Sequence, residues 1–84
     1  MNTEDVYTVE PLSEEAEMPW PFVGGYERVT NMRTGDCETA LYVFALVKGN
    51  KKCYVGTFFG SFPPHAMKAF REWLLVHRDK NIKR

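Results

Sequence analysis

Residues 39–48 constrain this chain most. Thr39–Lys48 is rich in β-branched and aromatic residues, the composition of a strand. Yet both of its alternating rows are apolar, Tyr42, Phe44 and Leu46 on one and Leu41, Val43 and Ala45 on the other. An antiparallel sheet with one wet face alternates apolar with polar residues instead. A chain built around this strand must therefore cover both faces of its sheet or offer one to a partner.

Gly49-Asn50 comes next, and a two-residue Gly-Asn loop signals a primed-turn hairpin into Lys51–Phe59. Such a loop sets Lys48 opposite Lys51, Leu46 opposite Cys53, Phe44 opposite Val55 and Tyr42 opposite Thr57. Tyr54, Gly56 and Phe58 then share the face of Leu41. Tyr26–Arg33, with Val29 and Met32, reads as a further strand ending in the turn chemistry of Thr34-Gly35-Asp36. Past Ser61, a candidate N-cap, Pro63-Pro64 suit the first turn of a helix. Ala66, Met67, Phe70, Trp73, Leu74 and His77 then recur at helical spacing. The expectation is an α+β fold, with a three-stranded or four-stranded antiparallel sheet packed against one C-terminal helix. Residues 26–84 would form a single β-β-β-α domain. A chain of 84 residues allows one domain, burying roughly 60–65% of its unfolded surface.

Residues 1–25 read as an acidic arm. They hold six acids (Glu4, Asp5, Glu10, Glu14, Glu15, Glu17) and no base, so the formal net charge of zero divides into −6 here and +6 in residues 26–84. Asymmetry of this kind marks an arm that clamps its own basic body or reaches a partner. Within the arm, Val6–Val9 reads as a short strand and Ser13–Glu17 as a helical turn. Met18-Pro19-Trp20-Pro21-Phe22 reads as extended chain, and Gly24-Gly25 as a flexible break. One helix covers one sheet face. The second cover is expected to be the arm, docking Trp20 and Phe22, or another molecule.

Residues that could carry chemistry are few. Cys37 and Cys53 lie roughly 30 Å apart in the expected register, too far for a disulfide, and two free thiols suit a reducing, cytoplasmic location. Cys37, Cys53, His65 and His77 have the chemistry of zinc ligands, but zinc sites bring their ligands in close pairs and these are widely spaced. No carboxylate is placed by sequence to orient either histidine. Nucleophile-elbow, phosphate-loop and paired-carboxylate motifs are absent from the sequence. No enzyme, metal or cofactor is expected. The longest apolar run, Ala40–Val47, is far short of the roughly 20 residues of a membrane span. Met1–Asp5 has neither a basic stretch nor an apolar run after it, so neither a membrane partner nor a secretory signal is expected.

Tyr54-Val55-Gly56-Thr57-Phe58 leading into Ala66, Ala69 and Phe70 resembles the plant AP2 and integrase arm-binding domains. The resemblance implies a three-stranded sheet that enters the DNA major groove through basic and aromatic side chains. Leu41–Val47 departs from that pattern, having no alternating arginine or lysine. The last strand and helix also resemble a double-stranded-RNA-binding domain, whose helix begins with a lysine cluster where this chain has Phe62-Pro63-Pro64. The leading expectation is a non-catalytic intracellular protein-binding module, an inhibitor or adaptor of the phage- or mobile-element-encoded kind that occludes a larger protein. Its expected anchors are Trp20, Phe22, Tyr26, Tyr42 and Phe44, with Glu14, Glu15 and Glu17 as an acidic second contact. The alternative is a nucleic-acid-binding domain using Lys68, Arg71, Arg78, Lys80, Lys83 and Arg84, with the arm as a brake. A homodimer through an exposed sheet face is compatible with both.

Overall fold

The computed structural model describes residues 6–82 and the side chains of residues 6–77. Four strands form one antiparallel meander: β1 (Tyr7–Pro11), β2 (Phe22–Asn31), β3 (Cys37–Val47) and β4 (Lys51–Gly60), followed by α1 (Pro63–Ile82). The fold is α+β, a four-stranded sheet packed on one C-terminal helix. The apolar strand read from the sequence is β3, and it lies between β2 and β4.

Two stretches of the expected arm, Tyr7–Pro11 and residues 22–25, are woven into this sheet. β1 pairs with β2 from Tyr7 opposite Asn31 to Pro11 opposite Glu27, and the Leu12 N–H then donates to the Tyr26 carbonyl at 3.1 Å. Gly24 and Gly25, expected as a break, lie inside β2 opposite Val43 and Tyr42. Two backbones approach closely there: a Cβ on Gly24 would collide with the Tyr42 carbonyl oxygen. Ser13–Glu17 is not helical. Leu12, Ala16 and Met18 pack instead against the core, a spacing that non-helical chain supplies.

The β3–β4 turn corrects the expected register. Gly49 and Asn50 both take positive φ (77° and 61°), as a primed turn requires. However, the pairing closes with Val47 opposite Lys51, so Lys48 joins Gly49 and Asn50 in a three-residue turn. Leu46 therefore faces Lys52, Ala45 faces Cys53 and Phe44 faces Tyr54. Val55 is then an extra residue, a β-bulge, and beyond it Val43 faces Gly56 and Tyr42 faces Thr57. The expected Tyr42–Thr57 pair stands, while Leu46–Cys53 and Phe44–Val55 do not form. Cross-strand partners share a face, so the bulge puts Tyr54 and Lys52 on the face of Tyr42 and Phe44.

Tyr26, Leu41 and Val43 of the sheet and Ala66, Met67 and Phe70 of α1 form the buried core. The Phe70 ring sits edge-on to Phe22 (5.4 Å between centroids) and Phe58 (5.5 Å), and stacks on Trp73 at 6.1 Å. Aromatic pairs of this geometry add about 0.5–1.5 kcal/mol each beyond area burial. The helix is capped differently from expectation. The Phe62 carbonyl, not Ser61, accepts the first helical bond, from Ala66 N–H at 3.1 Å. Pro63 stands at the first helical position, where its missing N–H costs nothing. Gly60 allows this landing, since a Cβ there would lie 2.5 Å from the Ala66 nitrogen. Both α1 and the 12–18 segment cover the Leu41 face of the sheet. The core contacts of α1 all lie on the Leu41 face, while the 12–18 segment also borders the Tyr42 face at the β2 edge.

Candidate functional site: the open face of the sheet

Alternation and register place Val23, Gly25 and Glu27 of β2, Tyr42, Phe44 and Leu46 of β3, and Lys52, Tyr54, Thr57 and Phe59 of β4 on the open face, with Ala40 fully buried beneath its neighbours. The Phe44 and Tyr54 rings meet edge-to-face at 5.6 Å. Lys52 Nζ stands over the Phe44 ring, 6.0 Å from its centroid, and the Tyr54 and Thr57 hydroxyls share a hydrogen bond. Tyr54 is 61% exposed, and Phe59, further along the same face opposite Ala40, is exposed as well. An open cleft of about 1480 Å³ is lined by Gly25, Glu27, Tyr42, Phe44, Leu46 and Lys52 of this face together with Glu14, Glu15, Glu17, Met18, Tyr26 and Arg71 from the helix-covered side.

Tyr42 is held neutral. Its pKa is raised above 10, first by burial, then by the hydrogen bond its hydroxyl donates to the Glu27 carboxylate, then by the charges of Glu27 and Tyr54. The face thus offers fixed aromatic rings, an acid–phenol pair and a single lysine. Those groups suit contact and hydrogen bonding.

The expected site residues separate into four places. Tyr42 and Phe44 share the open face. Phe22 and Tyr26 belong to the opposite, helix-covered face: Phe22 packs on Phe70, and Tyr26 is 6% exposed in the core. Neither is available as an anchor. Trp20 is 77% exposed on the turn before β2, away from both aromatic clusters. Glu14, Glu15 and Glu17 also line a second cleft of about 480 Å³ with Lys68 and Arg71. The charges of Glu14 and Arg71 both act on the Tyr26 hydroxyl, whose pKa is raised mainly by burial. The acidic segment therefore lies beside the basic helix face. Arg78, Lys80, Lys83 and Arg84 lie outside the described side chains.

Sequence reasoning missed Tyr54, Lys52 and Glu27 at this site. Tyr54 was expected on the Leu41 face because nothing was read as a bulge. Gly56 beside Val55, in the interior of an edge strand, is the signal that could have marked one.

The cysteines and histidines do not converge. Cys37 opens β3, Cys53 lies near the other end of the sheet, and His65 and His77 are at opposite ends of α1. Both thiols are free and exposed. Among the described residues no group of three His, Cys, Asp or Glu side chains could hold a metal ion, and no helix is long and apolar enough to cross a membrane.

Comparison with protein-family models, curated proteins and solved structures finds no match to this chain. The reading of the site therefore rests on its geometry.

Proposed function

We propose that this chain is a non-catalytic intracellular protein-binding module that acts through the open face of its sheet, covering or recruiting a larger protein as an inhibitor or adaptor. One observation carries the reading. The helix and the 12–18 segment both spend their apolar residues on the Leu41 face, leaving the Tyr42–Phe44–Tyr54 cluster open and held in place by β3. Rigid aromatic side chains ringed by a few polar groups are the usual anchors of protein interfaces. The exposed free thiols of Cys37 and Cys53 support a reducing compartment.

Affinity capture from the native host with and without nuclease tests the reading. The same protein should elute in both cases, and Phe44→Glu or Tyr54→Glu should weaken its binding by about 30-fold or more. Capture that survives both substitutions, or that disappears with nuclease, contradicts it.

A second reading is favoured by the position of Glu14, Glu15 and Glu17 beside Lys68 and Arg71. In it, the basic helix face binds nucleic acid and the acidic segment restrains it. Glu14→Gln/Glu15→Gln/Glu17→Gln should then strengthen DNA or RNA binding at low salt, with a steep salt dependence. If the triple variant binds neither nucleic acid at low salt, this reading fails.

A further inference from the structure

We infer that the free edge of β4 takes an extended strand of the bound protein, added to the sheet and carrying acidic residues where it passes the lysines at the β3–β4 turn. The inference rests on the protein-binding reading and names how the partner is held.

The sheet's own bonds show which backbone groups of β4 are free. The Leu46 N–H donates to the Pro21 carbonyl at 3.0 Å, on the β2 side. β3 pairs with β2 without a bulge, so alternation turns the N–H and carbonyl groups of Ala40, Tyr42 and Phe44 the same way. Their partners and that of Leu46 are therefore the non-hydrogen-bonded members of the β3–β4 ladder: Lys52, Tyr54, Thr57 and Phe59. The backbone groups of these residues point to the outer edge. β4 is the last strand of the sheet, and among the described residues no backbone bond from another element reaches that edge. Such a row of unpaired donors and acceptors is a template for a further strand.

The two edges of the sheet differ. β1 is five residues long and ends in Glu10-Pro11, which blunts pairing. β4 is ten residues long, and from Cys53 to Gly60 it carries neither charge nor proline. The bulge at Val55 divides its edge, so an added strand bonds Lys52 and Tyr54 on one side of the bulge and Thr57 and Phe59 on the other.

Side chains and charge select the occupant. Residues of the added strand opposite these positions share the open face, where Tyr54 and Phe59 are the exposed large side chains of β4. From Thr39 to Arg71 the chain has five bases and no acid. Lys48, Lys51 and Lys52 form no ion pair among the described residues, and Glu14, Glu15 and Glu17 lie beside Lys68 and Arg71. A second copy of β4 would bring these lysines no acid. An acidic strand of another protein does.

Amide hydrogen exchange tests the inference on the whole chain, alone and bound to the protein it captures from the native host. The amides of Lys52, Tyr54, Thr57 and Phe59 should exchange rapidly in the free chain and at least about tenfold more slowly in the complex. Thr57→Pro removes an N–H that the fold leaves free, and Gly56 before it has no Cβ to clash with the ring. This variant should fold, as circular dichroism checks, and bind at least about tenfold more weakly. Lys48→Glu/Lys51→Glu should also weaken binding and flatten its salt dependence. Edge amides that exchange as fast in the complex as in the free chain overturn the inference. So does a folded Thr57→Pro chain or a charge-reversed chain that binds unchanged. Protection of the same amides by self-association alone puts a second copy there and overturns it too. Unprotected edge amides in a complex that Phe44→Glu still disrupts remove the added strand and leave the open face as the contact surface. If no protein is captured, both readings fall.

Discussion

Phe70 is the residue on which the helix and sheet meet. It is fully buried, and three aromatic side chains surround it. Phe70→Ala should cost about 3–5 kcal/mol, a large part of the roughly 4–13 kcal/mol expected of a domain this size. A fall in the denaturant midpoint measures it. Trp20→Ala should change stability by no more than about 0.5 kcal/mol, since that side chain stands mostly in solvent. The phenols make a pH prediction. Burial and the acids Glu14 and Glu27 raise the pKa of Tyr26 and Tyr42 above 10, against which Arg71 lowers that of Tyr26. The folded state thus favours the neutral form, so its contribution is complete below pH 10 and is lost as pH rises through the raised values. Alkaline titration of phenolate absorbance should show two late tyrosines, and Glu27→Gln should bring Tyr42 back towards 10. Tyrosines that all titrate together near 10 would contradict this.

Turns and bulges decide what each element presents. Asn50 takes a positive φ without being glycine. Asn50→Val should cost about 1–2 kcal/mol while Asn50→Gly stays near neutral, read by thermal unfolding. Gly60→Ala should cost about 1–3 kcal/mol, because the first turn of α1 has no room to retreat from β4. β3, the helix face from Ala66 to Leu74 and the Gly-Asn turn could all be read from the chain, since apolar periodicity and turn chemistry are local signals. The register near the turn could not. A single bulge at Val55 exchanges the faces of Tyr54 and Cys53, and pairing energetics rather than composition place it. The strand read at Val6–Val9 is β1, Tyr7–Pro11, but the start of β2 was obscured for a related reason. Gly24-Gly25 resembles a linker, yet it serves a close strand contact that exists only once β3 is alongside. Hence two of the five expected aromatic anchors lie on the core side, Tyr26 in the core and Phe22 packed against it.

The whole molecule is elongated, 51 × 26 × 25 Å, with a radius of gyration of 15.0 Å against about 12 Å for a compact chain of this length. Part of this comes from α1, whose Leu75 and Val76 are exposed, and part from a sheet packed on one side only. The charge division has a local meaning at this scale. Glu14, Glu15 and Glu17 lie beside Lys68 and Arg71, so the acidic segment screens the basic helix face. Amide hydrogen exchange should find β3 the most protected element, as it is flanked on both edges and buried on one face. The central claim is that contact is made by the open face, and NMR of the nitrogen-labelled chain, titrated with the protein it captures from the native host, tests it most directly. The account predicts that the shifts gather at Val23, Gly25, Tyr42, Phe44, Lys52 and Tyr54. Shifts gathered instead at Lys68, Arg71 and the exposed end of α1 would contradict it.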